Sequence, residues 1–211
     1  MLDWIKQSLL IEQQKPFSRS TRNAVILAAA GSGKTRTLVH LVANDIAKGI
    51  PPSDIIVFTF TTKAAEELLA RIHLLTTEHF PETSLNGMYI GTIHAWCLKY
   101  LIEQSDYYNF TPIDELHIDA LISRLYDILE IGGTYGLQYP RAIDRFIADV
   151  EIFFNENLTS KQVPVNISSS IERFIKVLRD NRLISFGSMI RYAIEHLVKT
   201  GVNRHAIMTH L

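Results

Sequence analysis

One segment near the N-terminus constrains this chain more than any other. It is an apolar run that ends in a glycine-containing loop. Residues 24–30 read Ala-Val-Ile-Leu-Ala-Ala-Ala, and residues 31–35 read Gly-Ser-Gly-Lys-Thr. Leu38, Leu41 and Val42 then follow at helical spacing. The pattern predicts a strand, a loop and an amphipathic helix in immediate succession.

This succession indicates a site for a polyphosphate. Small residues let the loop turn tightly, so that successive backbone N–H groups point inward at the positive end of the following helix. Lys34 would then reach the terminal phosphates, and the Thr35 hydroxyl would be a ligand of Mg²⁺. The strict pattern has glycine at the first position, where this chain has Ala28. A chance Gly-Ser-Gly-Lys-Thr in a flexible loop is the alternative, which the strand and helix context disfavours.

Composition limits the possible partners and compartments. The 211 residues allow one core, or one core with an inserted lobe. With a net charge of −1 there is no general basic surface, so any nucleic-acid contact has to come from a local groove. Cys97 is the single cysteine, which excludes an internal disulfide framework and suits a reducing cytosol. No apolar stretch approaches the length of a membrane span, and we expect a cytoplasmic protein with no membrane partner.

The first hundred residues alternate between helix and strand patterns, as in an α/β domain with a parallel sheet. The run at 54–60 is almost continuously apolar, which is typical of a strand covered on both faces. A second short run at 88–93 predicts another strand. Helices are expected at 2–14, 34–48, 63–76 and 94–103.

After residue 105 the pattern changes to helices alone. We predict a helical lobe without strands, broken at Gly132-Gly133 and around residues 159–164. Phe110 to Glu115 is the nearest approach to a strand that ends in Asp-Glu, but Pro112 disfavours a central strand and favours a helix start with acids in its first turn. The expected helices are 114–131, 140–157, 168–183 and 186–199.

Three motifs in this order resemble a known family. They are residues 28–35, residues 58–68 (Phe-Thr-Phe-Thr-Thr-Lys-Ala-Ala-Glu-Glu-Leu) and residues 91–97 (Gly-Thr-Ile-His-Ala-Trp-Cys). Together they resemble motifs I, Ia and Ib of the UvrD/PcrA/Rep-type superfamily 1 DNA helicases. Alanine at the position of Ala28 is common in that family, whereas Ala29 is a small departure. The resemblance implies a partial RecA-like phosphate-loop NTPase sheet with helices on both faces and an inserted all-helical subdomain.

The resemblance also implies domain boundaries and a nucleotide site. Residues 1–103 would be the first RecA-like domain, 104–185 the helical insertion, and 186–211 a return to the RecA-like domain. Residues 185–189 fall on the family's D-F-x-D-[LM] turn but have serine at both acidic positions. The cofactors would be ATP and Mg²⁺, with Lys34 the one catalytic residue and Thr35 the metal ligand. The residues implied to bind the nucleotide are Gln13, Ala28, Ala29, Ala30, Gly31, Ser32, Gly33, Lys34, Thr35 and Arg36.

Two of these residues have alternatives. Residues 9–13 resemble the family's Q motif, so Gln13 would bond the adenine edge, because an amide has both a donor and an acceptor. A surface glutamine on a helix is the other interpretation. Arg36 would approach the nucleotide from the helix, or would be a solvated surface residue.

Motifs Ia and Ib line the groove for single-stranded DNA in the resembling family. Phe60 offers a ring for base stacking, although periodicity alone favours core packing for it. His94 is either a DNA contact or a structural histidine. The residues implied to bind DNA are Phe60, Thr61, Thr62, Lys63, Thr92 and His94.

The resemblance finally implies a function, and it implies that some residues needed for that function lie outside this chain. The family hydrolyses ATP with an Asp-Glu pair on a later strand and with arginines from a second motor domain. We expect the chain to be the N-terminal portion of an ATP-dependent 3′→5′ helicase or translocase, ending before the Walker B strand and inactive alone. Its partners would be single-stranded DNA, single-strand/duplex junctions and the C-terminal motor domain. The alternative is a truncated, non-catalytic nucleotide- and DNA-binding module. A small-molecule kinase would explain the loop but not the other two motifs.

Overall fold

The computed structural model describes residues 3–18, 25–104 and 106–200. Two compact units divide these residues, the first running to Trp96 and the second from Cys97 to Thr200. Each unit has its own cluster of buried apolar side chains. None of the helices in the described ranges combines the length and apolarity needed to cross a bilayer.

The first unit alternates helices with two short strands. A 3₁₀ turn at Lys15–Ser18 follows the N-terminal helices, and another at Pro52–Asp54 precedes the first strand. The last helix of the unit continues past Trp96 into the second unit. The elements are α1 (Asp3–Ser8), α2 (Ile11–Gln14), α3 (Lys34–Ala47), β1 (Ile56–Phe58), α4 (Thr62–His79), β2 (Tyr89–Gly91) and α5 (Ile93–Gln104).

The two strands of this unit are parallel, as their apolar runs predict. Val57 of β1 is opposite Ile90 of β2, and Phe58 is opposite Gly91. Each strand has three residues and is shorter than its apolar run. Helices α3 and α4 pack with β1 in one core, which contains Val39, Val42, Ile46, Ile55, Val57, Leu68 and Ile72.

Helix α3 begins and ends close to the bounds expected for it, whereas α4 begins one residue early at Thr62 and continues to His79, three residues past its expected end. Gly33 is the N-cap of α3, and Gly49 lies just past its C-terminal end with a φ of +86°. A positive φ is easy only for glycine, so this residue lets the chain turn away from the helix. At the start of α4, the Thr61 side chain accepts a hydrogen bond from the Ala64 N–H. Such a cap satisfies one of the helix's unpaired first donors.

The single helix expected over residues 2–14 is wrong. The chain breaks at Leu10, whose ψ of 156° is extended, so that α1 and α2 are separate. The break is stabilised by side-chain amides that bond the main chain. Gln14 Nε2 donates to the carbonyls of Lys6 and Leu9, and Gln13 Oε1 accepts from the Leu10 N–H. Side chains that bond the backbone locally in this way compete with a continuous helix.

The strand expected ahead of the glycine-containing loop is also not formed. Ala24 lies outside the described residues, and residues 25–29 have no regular structure. Val25 and Leu27 are 81% and 93% exposed. A strand exists only where a neighbour completes its ladder, and no strand among the described residues pairs with this segment. The α/β class is confirmed, whereas a full RecA-like sheet stays a proposal.

The second unit is mainly helical. Its helices pack around one core built on Phe146 and Phe174, which are both fully buried. The elements after α5 are β3 (Thr111–Ile113), α6 (Glu115–Arg124), α7 (Ile131–Tyr135), α8 (Arg141–Asn155), a 3₁₀ turn at Ser160–Gln162, α9 (Val165–Asp180), β4 (Leu183–Ser185) and α10 (Phe186–Thr200). A helix break was expected at Gly132 and Gly133, but both residues lie within α7. The helix predicted over 114–131 ends earlier, at Arg124.

The expected absence of strands from this half is also wrong. Strands β3 and β4 form a parallel pair in which Pro112 is opposite Ile184. Within the described residues this sheet has two strands, so β3 is an edge strand. Proline is tolerated there, because one side of an edge strand needs no N–H donor. The expected helix start is confirmed, since Asp114 is the N-cap of α6 and accepts from the His117 N–H. The domain boundaries 1–103, 104–185 and 186–211 remain a proposal.

Candidate functional site

The glycine-containing loop forms a tight turn that leads directly into α3. Gly31 and Gly33 have φ values of +76° and +83°, which favour glycine. The Ser32 hydroxyl donates to the Ala29 carbonyl at 2.7 Å, and the Ser32 N–H reaches the same oxygen at 3.3 Å. The structure therefore brings Ala28 to Gly33 together as one compact loop.

The start of α3 presents a cation and backbone donors at this loop. Lys34 Nζ donates to the carbonyls of Ala28 and Ala29, at 3.1 and 2.9 Å, so the ammonium group lies against the loop backbone. Lys34, Thr35 and Arg36 are all exposed. The first N–H groups of a helix have no intrahelical partner, and together with the helix dipole they favour an anion. The arrangement fits a polyphosphate with its metal ion, for which Thr35 offers a hydroxyl.

Gln13 contacts the same loop from α2. Its Nε2 donates to the Ser32 carbonyl at 2.9 Å, across 19 residues of sequence. The sequence places Gln13 near a nucleotide only through the Q-motif resemblance. The structure adds a direct contact with the glycine-containing loop, which spacing alone does not predict.

The six residues expected to bind DNA follow the ends of β1 and β2. Since these strands are parallel neighbours, the segments after them lie at the same edge of the sheet. The Thr59 N–H donates to the Gly91 carbonyl, which joins the two segments just beyond the strands. Phe60 is fully exposed, so the core-packing alternative for it is wrong. Thr61, Thr62 and Lys63 are exposed too.

Thr92 and His94 lie just after the end of β2. Thr92 Oγ1 accepts from the Ala95 N–H at the start of α5. Its carbonyl accepts from the Tyr89 hydroxyl at 3.0 Å. Tyr89 is a supporting residue that sequence reasoning missed. Its position in β2 gave no signal, because the bond depends on the turn after Gly91.

Among the described residues, no group of three or more His, Cys, Asp or Glu side chains is placed to hold a metal ion.

A groove between α3 and α4 was not predicted from the sequence. Its volume is about 260 Å³. The signal was present in α4, where Arg71, Leu74, Leu75 and Glu78 share one helix face at spacings of three and four. The lining residues are Arg36, Val39, His40, Arg71, Leu74, Leu75 and Glu78.

His40 is the buried titratable group of this region. It is 6% exposed, and its Nδ1 lies 2.8 Å from the Arg36 carbonyl. Because a carbonyl can only accept, the neutral ring carries its proton on Nδ1. Burial lowers the pKa of His40 below 6.5, and the charges of Arg36 and His79 lower it further, against the opposing carbonyl bond.

We expect acid to destabilise the first unit through His40. Below the unfolded-state pKa of 6.5, unfolded His40 binds a proton that the folded state resists. Stability is therefore lost as the pH falls from 6.5 toward the lowered folded pKa. Chemical unfolding followed by tryptophan fluorescence measures this, since Trp4 and Trp96 are both in the first unit. His40→Gln should reduce the difference in stability between about pH 7.5 and about pH 5.5. The exposed His73→Gln is the matched control, and an equal reduction in it would contradict the assignment.

In the second unit, the turn at residues 185–189 contains two buried serines, Ser185 and Ser188. The Ser185 N–H donates to Ser188 Oγ at 3.0 Å, and the Ser188 N–H donates to Ser185 Oγ at 3.2 Å. The two side chains thus bond each other's backbone at the start of α10, as in a capping box. The two serine hydroxyls therefore satisfy backbone N–H groups at the start of α10. This is a structural reason for serine at both positions.

The fold and the loop together define an α/β protein whose first long helix begins at a glycine-containing, lysine-bearing loop. Residues 9–209 match the family described as the UvrD/REP helicase N-terminal domain, and the chain belongs to that family. The resemblance inferred from the three motifs is therefore confirmed.

Individual relatives agree with this assignment. The chain is 34% identical over 202 residues to a probable DNA helicase II homolog of Rickettsia conorii, covering 89% of this chain and 29% of that protein. It is 38% identical over 130 residues to DNA helicase II of Escherichia coli K12, covering 61% and 16%. It is 35% identical over 108 residues to the ATP-dependent DNA helicase PcrA of Staphylococcus epidermidis, covering 49% and 14%. The chain thus spans less than a third of the length of these curated relatives.

Proposed function

We propose that this chain is the N-terminal ATP- and single-stranded-DNA-binding part of an ATP-dependent DNA helicase that moves 3′→5′. The observation that carries the proposal is the loop of residues 28–33 at the start of α3, with Lys34 Nζ within 3.1 Å of two of its carbonyls. Family membership supports it, because the relatives' names describe DNA helicases. ATP hydrolysis and unwinding are assigned to the whole protein, which would include a second motor domain.

The nucleotide would be held by residues of the loop and the first turn of α3. When bound, ATP would supply the phosphoryl group whose transfer to water releases free energy. Backbone N–H groups of residues 31–35 would bind its phosphates, Lys34 would neutralise the terminal oxygens, and the Thr35 hydroxyl would ligate Mg²⁺. Arg36 is one residue further along and is exposed, so it is free to contact the same ligand.

Single-stranded DNA would bind along the edge formed by the ends of β1 and β2. The ring of Phe60 has no protein packing to lose, since it is fully exposed, and is available for a base to stack on. The N-terminus of α4 and the Lys63 ammonium would bind phosphates beside it. Single-strand/duplex junctions and a cytoplasmic location belong to the same proposal.

We expect Phe60→Ala to weaken binding of an unstructured single-stranded oligonucleotide about tenfold, because base–aromatic stacking is worth about 1–3 kcal/mol per base. Fluorescence anisotropy with a labelled oligonucleotide at fixed salt measures the effect. Leu74→Ala is the matched control, as Leu74 is also largely exposed and is on the same helix as Lys63. Equal affinities of wild type and Phe60→Ala would remove Phe60 from the site.

A further inference from the structure

The carboxamide of Gln13 joins the N-terminal segment to the loop. Its Oε1 accepts from the Leu10 N–H at 3.0 Å, and its Nε2 donates to the Ser32 carbonyl at 2.9 Å. Both partners are main-chain groups of fixed polarity. Exchanging the amide oxygen and nitrogen would place two donors together at Leu10 and two acceptors together at Ser32, so the orientation is determined.

The same carboxamide lies directly against Gly33. A Cβ added to Gly33 would collide with Gln13 Nε2. Gly33 is also the left-handed N-cap from which α3 starts. Gln13 therefore contacts both residues that precede Lys34, where the backbone donors for a phosphate are oriented.

The segment that carries Gln13 is itself held firmly. Ile5 and Leu9 are buried, at 0% and 5% exposure. The adjacent Gln14 donates from Nε2 to the carbonyls of Lys6 and Leu9, which ties α2 to α1. Trp4 stacks on His79 of α4, with ring centroids 4.0 Å apart. Because the backbone that carries Gln13 is packed in this way, the Gln13 side chain can fix the position of the loop rather than follow it.

We propose that Gln13 is a positioning residue that sets the affinity of the loop for polyphosphate by holding Ser32 and Gly33. The proposal rests on the proposed function and assigns Gln13 a part in it that does not depend on the base. The contribution of Gln13 should then be the same for any ligand with the same phosphate chain. A residue that reads the adenine edge would instead matter for ATP alone.

Isothermal titration with Mg·ATP, Mg·GTP and Mg·tripolyphosphate separates these roles. Gln13→Ala should weaken binding of all three about fivefold, which corresponds to one neutral hydrogen bond. Gln13→Glu keeps an acceptor for Leu10 but loses the donor to Ser32, and should weaken all three at least as much. Ile11→Ala, on the same helix and 76% exposed, is the control and should leave all three unchanged. A loss confined to ATP, or wild-type affinity in Gln13→Glu, would overturn the proposal.

A second measurement does not require any ligand. Hydrogen exchange in a peptide that covers residues 28–35 should be faster in Gln13→Ala than in wild type, and unchanged in Ile11→Ala. Unchanged exchange in Gln13→Ala would overturn the positioning role. If the wild-type chain bound none of the three ligands, the proposed function would fail, and the exchange rates would still decide whether Gln13 holds the loop.

Discussion

Lys34→Ala is expected to weaken the binding of Mg·ATP about a hundredfold. The ammonium group lies against the loop backbone, where it is placed to bond the terminal phosphates of a bound nucleotide. A hydrogen bond to a charged group contributes about 1.5–3 kcal/mol, and the upper part of that range corresponds to two decades in the dissociation constant. Titration calorimetry with Mg·ATP measures the change directly.

Lys48→Ala is the matched control for this substitution. Lys48 is an exposed lysine at the other end of α3, so it has the same charge and a comparable helix environment. We expect its affinity for Mg·ATP to be that of the wild type. Equal dissociation constants for the wild type and Lys34→Ala would show that the loop is not the phosphate site.

Phe146→Ala is expected to lower the free energy of unfolding of the second unit by about 3–5 kcal/mol. Phe146 is fully buried in α8, with its ring edge-on to Phe174 at a centroid distance of 6.1 Å and near Tyr135 at 6.5 Å. Alanine would remove these aromatic contacts and leave a cavity that neighbouring helices cannot fill. Chemical denaturation followed by far-ultraviolet circular dichroism measures the loss.

Ile152→Ala on the same helix is the control for the loss of apolar volume. Ile152 is half exposed, so its removal opens no closed cavity, and we expect a change below about 1 kcal/mol. Similar losses for the two variants would mean that the core of the second unit is not built on Phe146.

Local signals in the sequence predicted those features whose causes are local. The start of α3 at Lys34 follows from the glycine-containing loop, and its end follows from Gly49. The Thr61 cap and the Asp114 cap are each decided within three residues. The parallel pairing of β1 and β2 follows from two apolar runs that bracket a helix.

Features that depend on distant partners were not predictable in the same way. The β3–β4 pair joins Thr111 to Leu183, and no residue near Thr111 in the sequence indicates that partner. Conversely, the apolar run at 25–27 has the composition of a strand but no ladder partner among the described residues. For Phe60, periodicity favoured the core because it treats the residue after a strand as part of the strand. The contact between Gln13 and Ser32 likewise depends on the break at Leu10, which side-chain amides cause.

We propose that backbone amides at the head of α3 bind the phosphates of a nucleotide. Hydrogen exchange of the whole chain with and without saturating Mg·ATP tests it most directly. We expect slower exchange concentrated in the peptide that covers residues 28–37, and the same protection with Mg·tripolyphosphate. If bound Mg·ATP left this peptide unchanged and protected another part of the chain, the phosphate site would not be at the head of α3.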